Sequence, residues 1–411
     1  MPIEFDSIRF FPVISECKSE ITGKTMERTI YLEQIKQHLR IQPICAILGA
    51  RQVGKTTLAR QFAAHHHQKI EFFDLENPTH LASLDTPMLT LSAYSDCLVI
   101  IDEIQRRPDL FPILRVLVDD QEKKYTFLIL GSASRDLIRQ SSETLAGRIG
   151  YIELPPFTLL DVNDSERLLI RGGFPRSYLA QSEEDSFLWR EGYINTFLEK
   201  DLPSFGFNAP PRLMHKFWMM LCFYHGQIFN AHEIARSLMI SDKTVTKYLD
   251  ILAGTFMIRI LQPWFENIKK RQIKTPKVYF RDSGIFNTLS SIRSIAQLAK
   301  TPKIGPLWEG FALDEAINCL QIRQNDCYFW STHSQAELDL LVFKNGKRLG
   351  FEFKYSDSPS VTKSMNIALD DLKLDHLYVI FPGKLTFPMS DTITACGLDQ
   401  LTTISTVDFF Q

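Results

Sequence analysis

Residues 44–57 read ICAILGARQVGKTT, an apolar run followed by a glycine-containing turn and the start of a helical pattern. The apolar run at 44–48 is typical of a short buried strand, and residues 57–68 follow a helical pattern. The turn between them fits the pattern GxxxxGK[ST], whose fixed positions are Gly49, Gly54, Lys55 and Thr56. A chance glycine turn has no reason to lie between a buried strand and a helix, so the context favours a phosphate-binding loop.

The residues of this loop suit a nucleoside triphosphate. Glycines let backbone N–H groups turn inward around phosphate oxygens, and the N-terminus of the next helix adds its dipole. Lys55 is expected to reach the β- and γ-phosphates, and Thr56 to hold Mg²⁺. We predict ATP and Mg²⁺ as cofactors, with the nucleotide bound by Gly49, Ala50, Arg51, Gln52, Val53, Gly54, Lys55, Thr56 and Thr57.

A phosphate-binding loop needs acidic partners, and residues 97–103, CLVIIDE, supply them. The apolar run predicts a buried strand that ends in Asp102 and Glu103. Asp102 is placed to bind Mg²⁺, and Glu103 to orient and deprotonate the attacking water. An ordinary strand ending in acids at a turn is the alternative, which the upstream loop disfavours. The predicted catalytic residues here are Lys55, Asp102 and Glu103.

Two more strands are predicted around these motifs. EFFDLE (71–76) lies between them, and TFLILGSAS (126–134) follows them. This order is typical of P-loop proteins in which an extra strand separates the two motif strands. In such proteins the end of the inserted strand brings a polar residue near the γ-phosphate. With TFLILGSAS as that strand, Ser132 or Ser134 is the candidate sensor. A solvated loop serine is the alternative.

Arg148 lies in LAGRIGYIELPPF (145–157), just ahead of a fifth predicted strand. An arginine here can act as a catalytic finger in trans, stabilising transition-state charge at a neighbouring subunit. That role requires a homo-oligomer, although the sequence does not fix the oligomeric state. A surface arginine or a salt-bridge partner is the alternative.

Size and composition predict a globular protein of several domains. The chain has 411 residues, of which 45% are hydrophobic and 23% charged, as is ordinary for a soluble globular protein. A chain of this length usually forms more than one hydrophobic core. The net charge of −2 confines any nucleic-acid contact to a local patch. Seven cysteines without a CxxC pair predict buried free thiols, among them Cys45, Cys97 and Cys222. The acidic N-terminus and the short apolar run at 217–224 predict a cytoplasmic protein without a membrane partner.

The middle of the chain is predicted to form a helical lid followed by a winged helix-turn-helix. Arg171, Arg176 and Asp201 of the lid could contact nucleotide or an interface, but a structural role is favoured. In the winged helix, Asn230 caps the first helix and a turn falls at Ser241, before the strands FMIRILQPW and KVYFRD. The candidate phosphate contacts to DNA are Lys243, Thr244 and Lys247 on the second helix and Lys269, Lys270 and Arg271 in the wing. A winged helix that binds protein is the alternative.

The C-terminal part carries a set of residues typical of a metal-dependent nuclease. A helix carries Glu309, a hairpin strand carries Asp339, and the next strand carries Glu352 and Lys354 on one face. The three carboxylates would bind one or two Mg²⁺ ions, and Lys354 would orient the nucleophile at the scissile phosphate. Glu337, on the same face as Asp339, is a fourth candidate. The alternative is a module that kept its fold and lost cleavage.

The serial order of these motifs resembles a prokaryotic family of AAA-type (AAA+-like) P-loop ATPases. In that family the ATPase is fused to a winged helix and a C-terminal domain of unknown function related to PD-(D/E)xK nucleases. The resemblance covers nearly the full length and rests on ILGARQVGKTTLA, LVIIDEIQ, LILGSAS, LAGR, GGFP, the helix-turn-helix, YFRDSGI and WEGF…ELDLLV…FEFK. It implies ATP binding at residues 49–57 and an α/β fold at both ends, but it implies neither a biological role nor an active nuclease.

The predicted fold class is α/β: a P-loop NTPase parallel sheet with a helical lid, a winged helix-turn-helix, and a C-terminal α/β restriction-endonuclease-like domain. The predicted boundaries are 1–157 (ATPase core), 158–225 (lid), 226–285 (winged helix) and 286–411 (nuclease-like domain). The expected function is a Mg²⁺-dependent ATPase coupled to the winged helix and the nuclease-like module, with DNA as partner. The alternative is a nucleotide-gated protein-interaction switch with a catalytically inactive nuclease-like scaffold.

Overall fold

The computed structural model describes residues 26–66, 69–132, 141, 143–334 and 336–403. Its strands are β1 (Ile44–Gly49), β2 (Ile70–Asp74), β3 (Leu98–Asp102), β4 (Thr126–Ser132), β5 (Ile149–Glu153), β6 (Gln227–Ile228), β7 (Ile258–Pro263), β8 (Lys277–Phe280), β9 (Cys327–Ser331), β10 (Glu337–Lys344), β11 (Lys347–Phe353), β12 (His376–Phe381), β13 (Thr386–Ser390) and β14 (Ile393–Gly397). Its α-helices are α1 (Thr29–Ile41), α2 (Lys55–Ala64), α3 (Pro78–Ser83), α4 (Pro87–Ser92), α5 (Leu110–Val118), α6 (Ser165–Arg171), α7 (Pro175–Tyr178), α8 (Glu183–Thr196), α9 (Leu202–Ser204), α10 (Pro211–Leu221), α11 (Ala231–Leu238), α12 (Asp242–Gly254), α13 (Ser283–Leu289), α14 (Ile295–Ala299), α15 (Ile304–Cys319) and α16 (Lys363–Leu372).

The first sheet contains, within the described ranges, five parallel strands in the order β2-β3-β4-β1-β5. Strands β1 and β3 are buried along their whole length, as expected for a parallel sheet that is covered on both faces. Strand β4 lies between them, which confirms the predicted inserted strand. Because all five strands run the same way, the residues that follow β1, β3 and β4 meet at one edge of the sheet.

Helices cover both faces of this sheet and supply its two cores. On one face, Ile35 of α1 and Phe62 of α2 share an apolar cluster with Ile47 of β1. On the other face, Phe111 of α5 shares a cluster with Ile101 of β3. Full burial of one such side chain contributes about 1.5–3 kcal/mol. Helices packed on both faces of the sheet thereby support the edge at which the residues after β1, β3 and β4 meet.

The helical region between residues 158 and 225 packs against the phosphate-loop edge. Helix α8 starts at the cap Ser182, whose hydroxyl accepts a hydrogen bond from the Asp185 amide. At its C-terminal end α8 passes into a π-helical turn, Phe197–Asp201. π-helical turns are rare in proteins, but many of those that occur lie at functional sites.

Two helices and a hairpin form the predicted helix-turn-helix segment. The Asn230 side chain caps α11 by accepting from the Glu233 amide, and Ser241 caps α12 by accepting from the Thr244 amide. The predicted cap at Asn230 and turn at Ser241 are therefore confirmed. Strands β7 and β8 then pair antiparallel.

The hairpin strands β7 and β8 belong to the same sheet as the C-terminal strands β9 to β14. In the part of the chain that the structure describes, the second sheet has nine strands in the order β13-β14-β12-β11-β10-β9-β7-β8-β6. The join is a short parallel pairing in which Gln262 and Pro263 of β7 face Tyr328 and Phe329 of β9. The segments predicted as winged helix and nuclease-like domain thus share one sheet, which local sequence patterns do not reveal.

The motifs GGFP and YFRDSGI meet where the helical region packs on the second sheet. The Asp282 carboxylate accepts hydrogen bonds from the Gly173 amide at 2.7 Å and from the Ile285 amide at 2.8 Å. A Cβ at Gly172 would collide with the Asp282 carboxylate, and one at Gly173 with the Phe157 carbonyl oxygen. Close backbone approach therefore explains both glycines.

The described residues confirm one prediction from composition, the buried free thiols. Cys45, Cys97 and Cys222 are buried free thiols. Every helix in the described part of the chain is too short or too polar to span a lipid bilayer.

Candidate active site

The phosphate loop joins the end of β1 to the start of α2. Gly49 is buried beside Leu154, and a Cβ there would collide with the Leu154 carbonyl oxygen. Gln52 and Gly54 have φ values of 66° and 97°, and Gly54 takes this left-handed conformation at no steric cost. The glycines of the motif are therefore required by close packing and by the turn into α2.

Lys55 is the buried cation of this loop. Its ammonium group donates hydrogen bonds to the carbonyl oxygens of Gly49 at 3.1 Å and Ala50 at 2.9 Å. Burial lowers the pKa of Lys55, and the nearby carboxylates of Glu103 and Asp102 oppose that shift. The ammonium is thus held at the mouth of the loop, next to the two acids.

Thr56 and Asp102 are in direct contact, although 46 positions separate them in sequence. The Thr56 hydroxyl donates to Asp102 Oδ2 at 2.6 Å. The other carboxylate oxygen of Asp102 accepts from the Glu103 amide at 2.9 Å. Burial raises the pKa of Asp102, while the Thr56 hydrogen bond and Lys55 oppose the shift. A hydroxyl and a carboxylate oxygen therefore converge where the loop meets β3.

Glu103 has a strained backbone. Its φ and ψ are 58° and 43°, a left-handed conformation that is uncommon outside glycine and is found at active sites. The Gln105 side-chain amide donates to the Glu103 carboxylate. Burial raises the pKa of Glu103, with Lys55 opposing. The positioning role of Gln105 was not predicted, although the quoted motif LVIIDEIQ contains it.

Ser132, Val53 and Thr57 are further predicted nucleotide contacts that the structure describes. Ser132 ends β4, is buried, and is the register partner of Gly49, so it lies beside the start of the loop. Ser134 lies outside the described residues. Val53 is buried inside the loop, whereas Thr57 is exposed on α2.

Arg148 lies at the opposite edge of the sheet from the loop. Its carbonyl oxygen accepts from the Ile44 amide at the start of β1, and β1 is about 17 Å long from there to Gly49. Its guanidinium is bound to Asp119 at 2.5 and 2.8 Å. Parallel strands start at one edge and end at the other, so Arg148 cannot reach the loop of its own chain. A role in trans stays a prediction.

The predicted nuclease-like residues form a second cluster, on the β10–β11 hairpin. The turn is Asn345–Gly346, both with positive φ, as expected for a two-residue hairpin. Asp339 and Glu352 each lie one residue beyond the pair Leu340–Phe351 on adjacent strands. The hairpin therefore brings the two carboxylates together.

Lys354 bridges the carboxylates of this hairpin. Its ammonium lies 3.0 Å from Glu352 Oε2 and 4.0 Å from Asp339 Oδ2. Burial raises the pKa of Glu352 to about 8, with a further contribution from Asp339. Burial and Asp339 likewise raise the pKa of Glu309 to about 7. Among the described residues, Glu352 Oε1 is buried without a hydrogen-bond partner.

Lys277, the first residue of β8, was not predicted to belong to this cluster. Its buried ammonium forms an ion pair with Glu337 and lies 3.8 Å from Asp339 Oδ1. Burial alone lowers the pKa of Lys277, yet the surrounding acidic groups, including Asp339 and Glu337, raise it above its usual value. Strands β7 and β9 lie between β8 and β10 in the sheet, so the long Lys277 side chain bridges strands that are not neighbours.

Lysine side chains offset the negative charge of the carboxylates in this cluster. Within the described ranges, no three Asp, Glu, His or Cys side chains lie close enough together to hold a metal ion. The ammonium groups of Lys277 and Lys354 lie among the carboxylates instead. The metal-binding role of Glu309, Asp339 and Glu352 therefore stays a prediction.

Comparisons with known proteins agree with the geometry of the first sheet. Residues 41–162 match an AAA domain. The chain is 45% identical over 397 residues to the uncharacterized proteins Rv2008c of Mycobacterium tuberculosis and Mb2031c of Mycobacterium bovis, covering 96% of this chain and 89% of each relative. The chain belongs to the family of these mycobacterial proteins. This member carries an AAA-like ATPase domain at the first sheet.

The rest of this AAA-like ATPase matches families without an assigned role. Residues 162–296 match the domain of unknown function DUF8612, and residues 304–401 match the domain of unknown function DUF4143. These matches assign no activity to the helix-turn-helix segment or to the second cluster.

Solved structures offer only distant likenesses to the AAA-like ATPase. The Walker-type ATPase PABY2304 of Pyrococcus abyssi is 15% identical, with a TM-score of 0.46, over 65% of this chain and 96% of that chain. A RuvB mutant of Thermotoga maritima is 17% identical, with a TM-score of 0.29, over 56% of this chain and 86% of that chain. Neither likeness is close enough to support an argument about activity.

Proposed function

We propose that this protein is a Mg²⁺-dependent ATPase that couples its nucleotide state to a DNA-binding winged helix and a nuclease-like module. One observation carries the ATPase part: the Thr56 hydroxyl donates to Asp102 at 2.6 Å, which joins the phosphate loop to the end of β3. Lys55 and Glu103 lie beside this contact. The four side-chain types needed for phosphoryl transfer to water thus converge at one edge of the sheet.

The residues at this edge fit Mg²⁺ and a triphosphate. Mg²⁺ prefers oxygen ligands, and Thr56 and Asp102 offer a hydroxyl and a carboxylate oxygen at one point. When bound, Mg²⁺ supplies positive charge next to the β- and γ-phosphates. Lys55 exchanges its loop carbonyls for phosphate oxygens, and Glu103 accepts a proton from the attacking water. The test is Mg²⁺-dependent ATP turnover by the purified chain, with Lys55→Ala and Glu103→Gln as variants.

Exposed cations on the helix-turn-helix segment support the DNA-binding part of the proposal. Lys243 and Lys247 are exposed on α12, the helix that follows the turn and would enter the major groove. In the wing, Lys270 is less available for such contacts, because its ammonium is paired with Asp371 at 2.6 Å. We therefore test α12 first, and Lys269 and Arg271 stay candidate contacts.

Neutralising the α12 lysines is expected to flatten the salt dependence of DNA binding. For Lys243→Gln/Lys247→Gln, the slope of log K against log[salt] should fall by about 2, because each lost phosphate contact removes about 0.9. The matched control is Lys123→Gln/Lys124→Gln, two exposed lysines before β4. Fluorescence anisotropy at several salt concentrations measures the slope. An unchanged slope in the α12 variant would remove this helix from the DNA contact.

The second cluster supports metal-dependent cleavage through one observation: Glu352 Oε1 is buried and has no hydrogen-bond partner among the residues that the structure describes. A buried carboxylate oxygen without a partner is costly and suits a cation ligand. Asp339 is the adjacent carboxylate that would share the ion, and Lys354 is the cation that would contact the scissile phosphate. When bound, the metal would supply the Lewis acid and the nucleophile.

Cleavage of nucleic acid is expected to require Mg²⁺ or Mn²⁺ and to fall about 10²–10³-fold in Asp339→Asn and in Lys354→Ala, because each change removes a preorganised charge. Gel assays on duplex, forked and single-stranded substrates measure it. Lys363→Ala, an exposed lysine at the start of α16, is the control. No cleavage on any substrate would contradict the nuclease assignment.

A nucleotide-gated protein-interaction switch is the second candidate function. It is favoured by the ion pair between Lys277 and Glu337 and by the 3.8 Å approach of Lys277 to Asp339. A protein ammonium already balances these carboxylates, so the cluster can serve as a scaffold that ties the hairpin to the C-terminal strands. Absence of cleavage together with ATP-dependent capture of a protein would support this candidate.

A further inference from the structure

Arg51 belongs to the phosphate loop, yet groups outside the loop bind it. Its guanidinium forms an ion pair with Asp201 and lies 3.2 Å from Glu76 Oε1. Its carbonyl oxygen accepts a hydrogen bond from the Tyr193 hydroxyl at 3.4 Å. The loop is thus tied to the helical region through the side chain and the backbone of one residue.

Asp201 is the buried partner in this ion pair. It ends the π-helical turn between α8 and α9, and its side chain is 3% exposed, against 38% for Arg51. Burial raises the pKa of Asp201, and the guanidinium of Arg51 opposes that shift. A buried carboxylate that loses its cation is strongly destabilised, so the π turn depends on where the Arg51 side chain points.

Arg51 is also close to the groups that handle the terminal phosphate. Lys55, the cation expected at the β- and γ-phosphates, donates to the carbonyl of Ala50, the residue next to Arg51. Arg51 interacts electrostatically with both Lys55 and Glu103. A guanidinium binds phosphate oxygens with the same two-pronged geometry that it uses for a carboxylate. A γ-phosphate and Asp201 are therefore competing ligands for one guanidinium.

We propose that Arg51 is a γ-phosphate switch: it pairs with Asp201 when no γ-phosphate is bound and turns to the γ-phosphate of ATP, which frees Asp201 and loosens the π turn. The inference rests on the proposed binding of ATP by the loop and adds a residue that reports which nucleotide is present. Arg148 cannot have this role within the chain, because it lies at the far edge of the sheet.

Helix α8 connects this switch to the second sheet. Arg190 of α8 is fully buried and donates to the Thr288 hydroxyl at 2.7 Å. Thr288 lies in α13, which follows β8 and therefore Lys277. About 16 Å of helical chain separates Arg190 from Asp201, so one continuous helical segment connects the phosphate loop to the element that follows β8.

The test is a double-mutant cycle on nucleotide preference. Dissociation constants for ADP and for the non-hydrolysable analogue adenylyl imidodiphosphate are measured with Mg²⁺ in the unsubstituted chain, Asp201→Asn, Arg51→Met and the double variant. Asp201→Asn is expected to bind the analogue about 5–20-fold more tightly without a change for ADP, because the competing ligand is gone. Arg51→Met is expected to weaken the analogue about 10-fold or more. The double variant should match Arg51→Met.

The matched control removes the exposed partner of Arg51. Glu76→Gln is expected to change either affinity less than about 2-fold, because exposed ion pairs contribute little. Equal changes for both nucleotides in Asp201→Asn, or an Asp201→Asn effect that persists without Arg51, would show that the pair is structural and overturn the inference.

Hydrogen exchange of the unsubstituted chain tests the same switch without any variant. The amides of residues 197–205 are expected to exchange faster with the analogue than with ADP. Identical exchange with both bound nucleotides would overturn the switch and leave the ATPase proposal intact. Failure of the chain to bind either nucleotide would instead overturn the proposed function, and the switch with it.

Discussion

Glu103→Gln is expected to leave ATP binding intact and to slow hydrolysis about 10²–10⁴-fold. Glutamine keeps the size and the hydrogen-bonding shape of the side chain, so the strained backbone at this position and the contact with Gln105 can persist. It cannot accept the proton of the attacking water. Burial also raises the pKa of Glu103 above its usual value, and a raised pKa makes a carboxylate a stronger base.

Single-turnover phosphate release and equilibrium binding of ATP together measure this effect. Glu122→Gln, a change at an exposed glutamate of the same domain, is the matched control and should match the unsubstituted chain in both assays. Turnover that is unchanged in Glu103→Gln would remove Glu103 from catalysis. A parallel loss of binding would mean that the change had disturbed the loop rather than the chemistry.

Lys55→Ala is expected to weaken ATP binding about 10–150-fold, which is the range for losing hydrogen bonds to a charged group, and to abolish measurable turnover. The reason is that the Lys55 ammonium is the buried cation of the loop, held by the Gly49 and Ala50 carbonyl oxygens next to Asp102 and Glu103. Alanine removes the charge and leaves both carbonyl oxygens without this donor.

A thermal melt must accompany the binding measurement, because a folding defect would also lower affinity. Lys36→Ala is the control, since Lys36 is exposed and pairs only at the surface, with Glu33 at 2.6 Å. Lys36→Ala is expected to keep full affinity and turnover. If Lys55→Ala kept both as well, the phosphate loop would not be the nucleotide site.

The phosphate loop could be predicted because its parts are contiguous in sequence. Gly49, Gly54 and Lys55 are fixed by a pattern of eight residues, and the flanking strand and helix follow from local periodicity. Placing Asp102 in the same site required one further inference, namely that parallel strands end at the same edge of a sheet. The cap at Asn230 was also predictable, since a cap acts on amides three residues away, and so was the turn at Ser241.

The partners of charged residues could not be predicted in the same way. Arg148 looked suitable for catalysis by its place in a motif, but the direction of β5 puts it about 17 Å from the loop. Lys277 looked like an ordinary strand residue, yet the packing of the second sheet places its ammonium beside Glu337 and Asp339. Nothing in the local pattern around either residue encodes these distances.

The strand, loop and helix of the phosphate site and the starts of α11 and α12 were predictable from local sequence patterns. These follow from interactions within a few residues, such as backbone turns, caps and the burial of apolar runs. The folded chain was needed to show that β7 joins β9 in one sheet, that Arg51 pairs with Asp201 across 150 positions, and that Arg148 lies away from the loop. Such pairings depend on how strands and helices pack after they form, and packing is set by the whole chain.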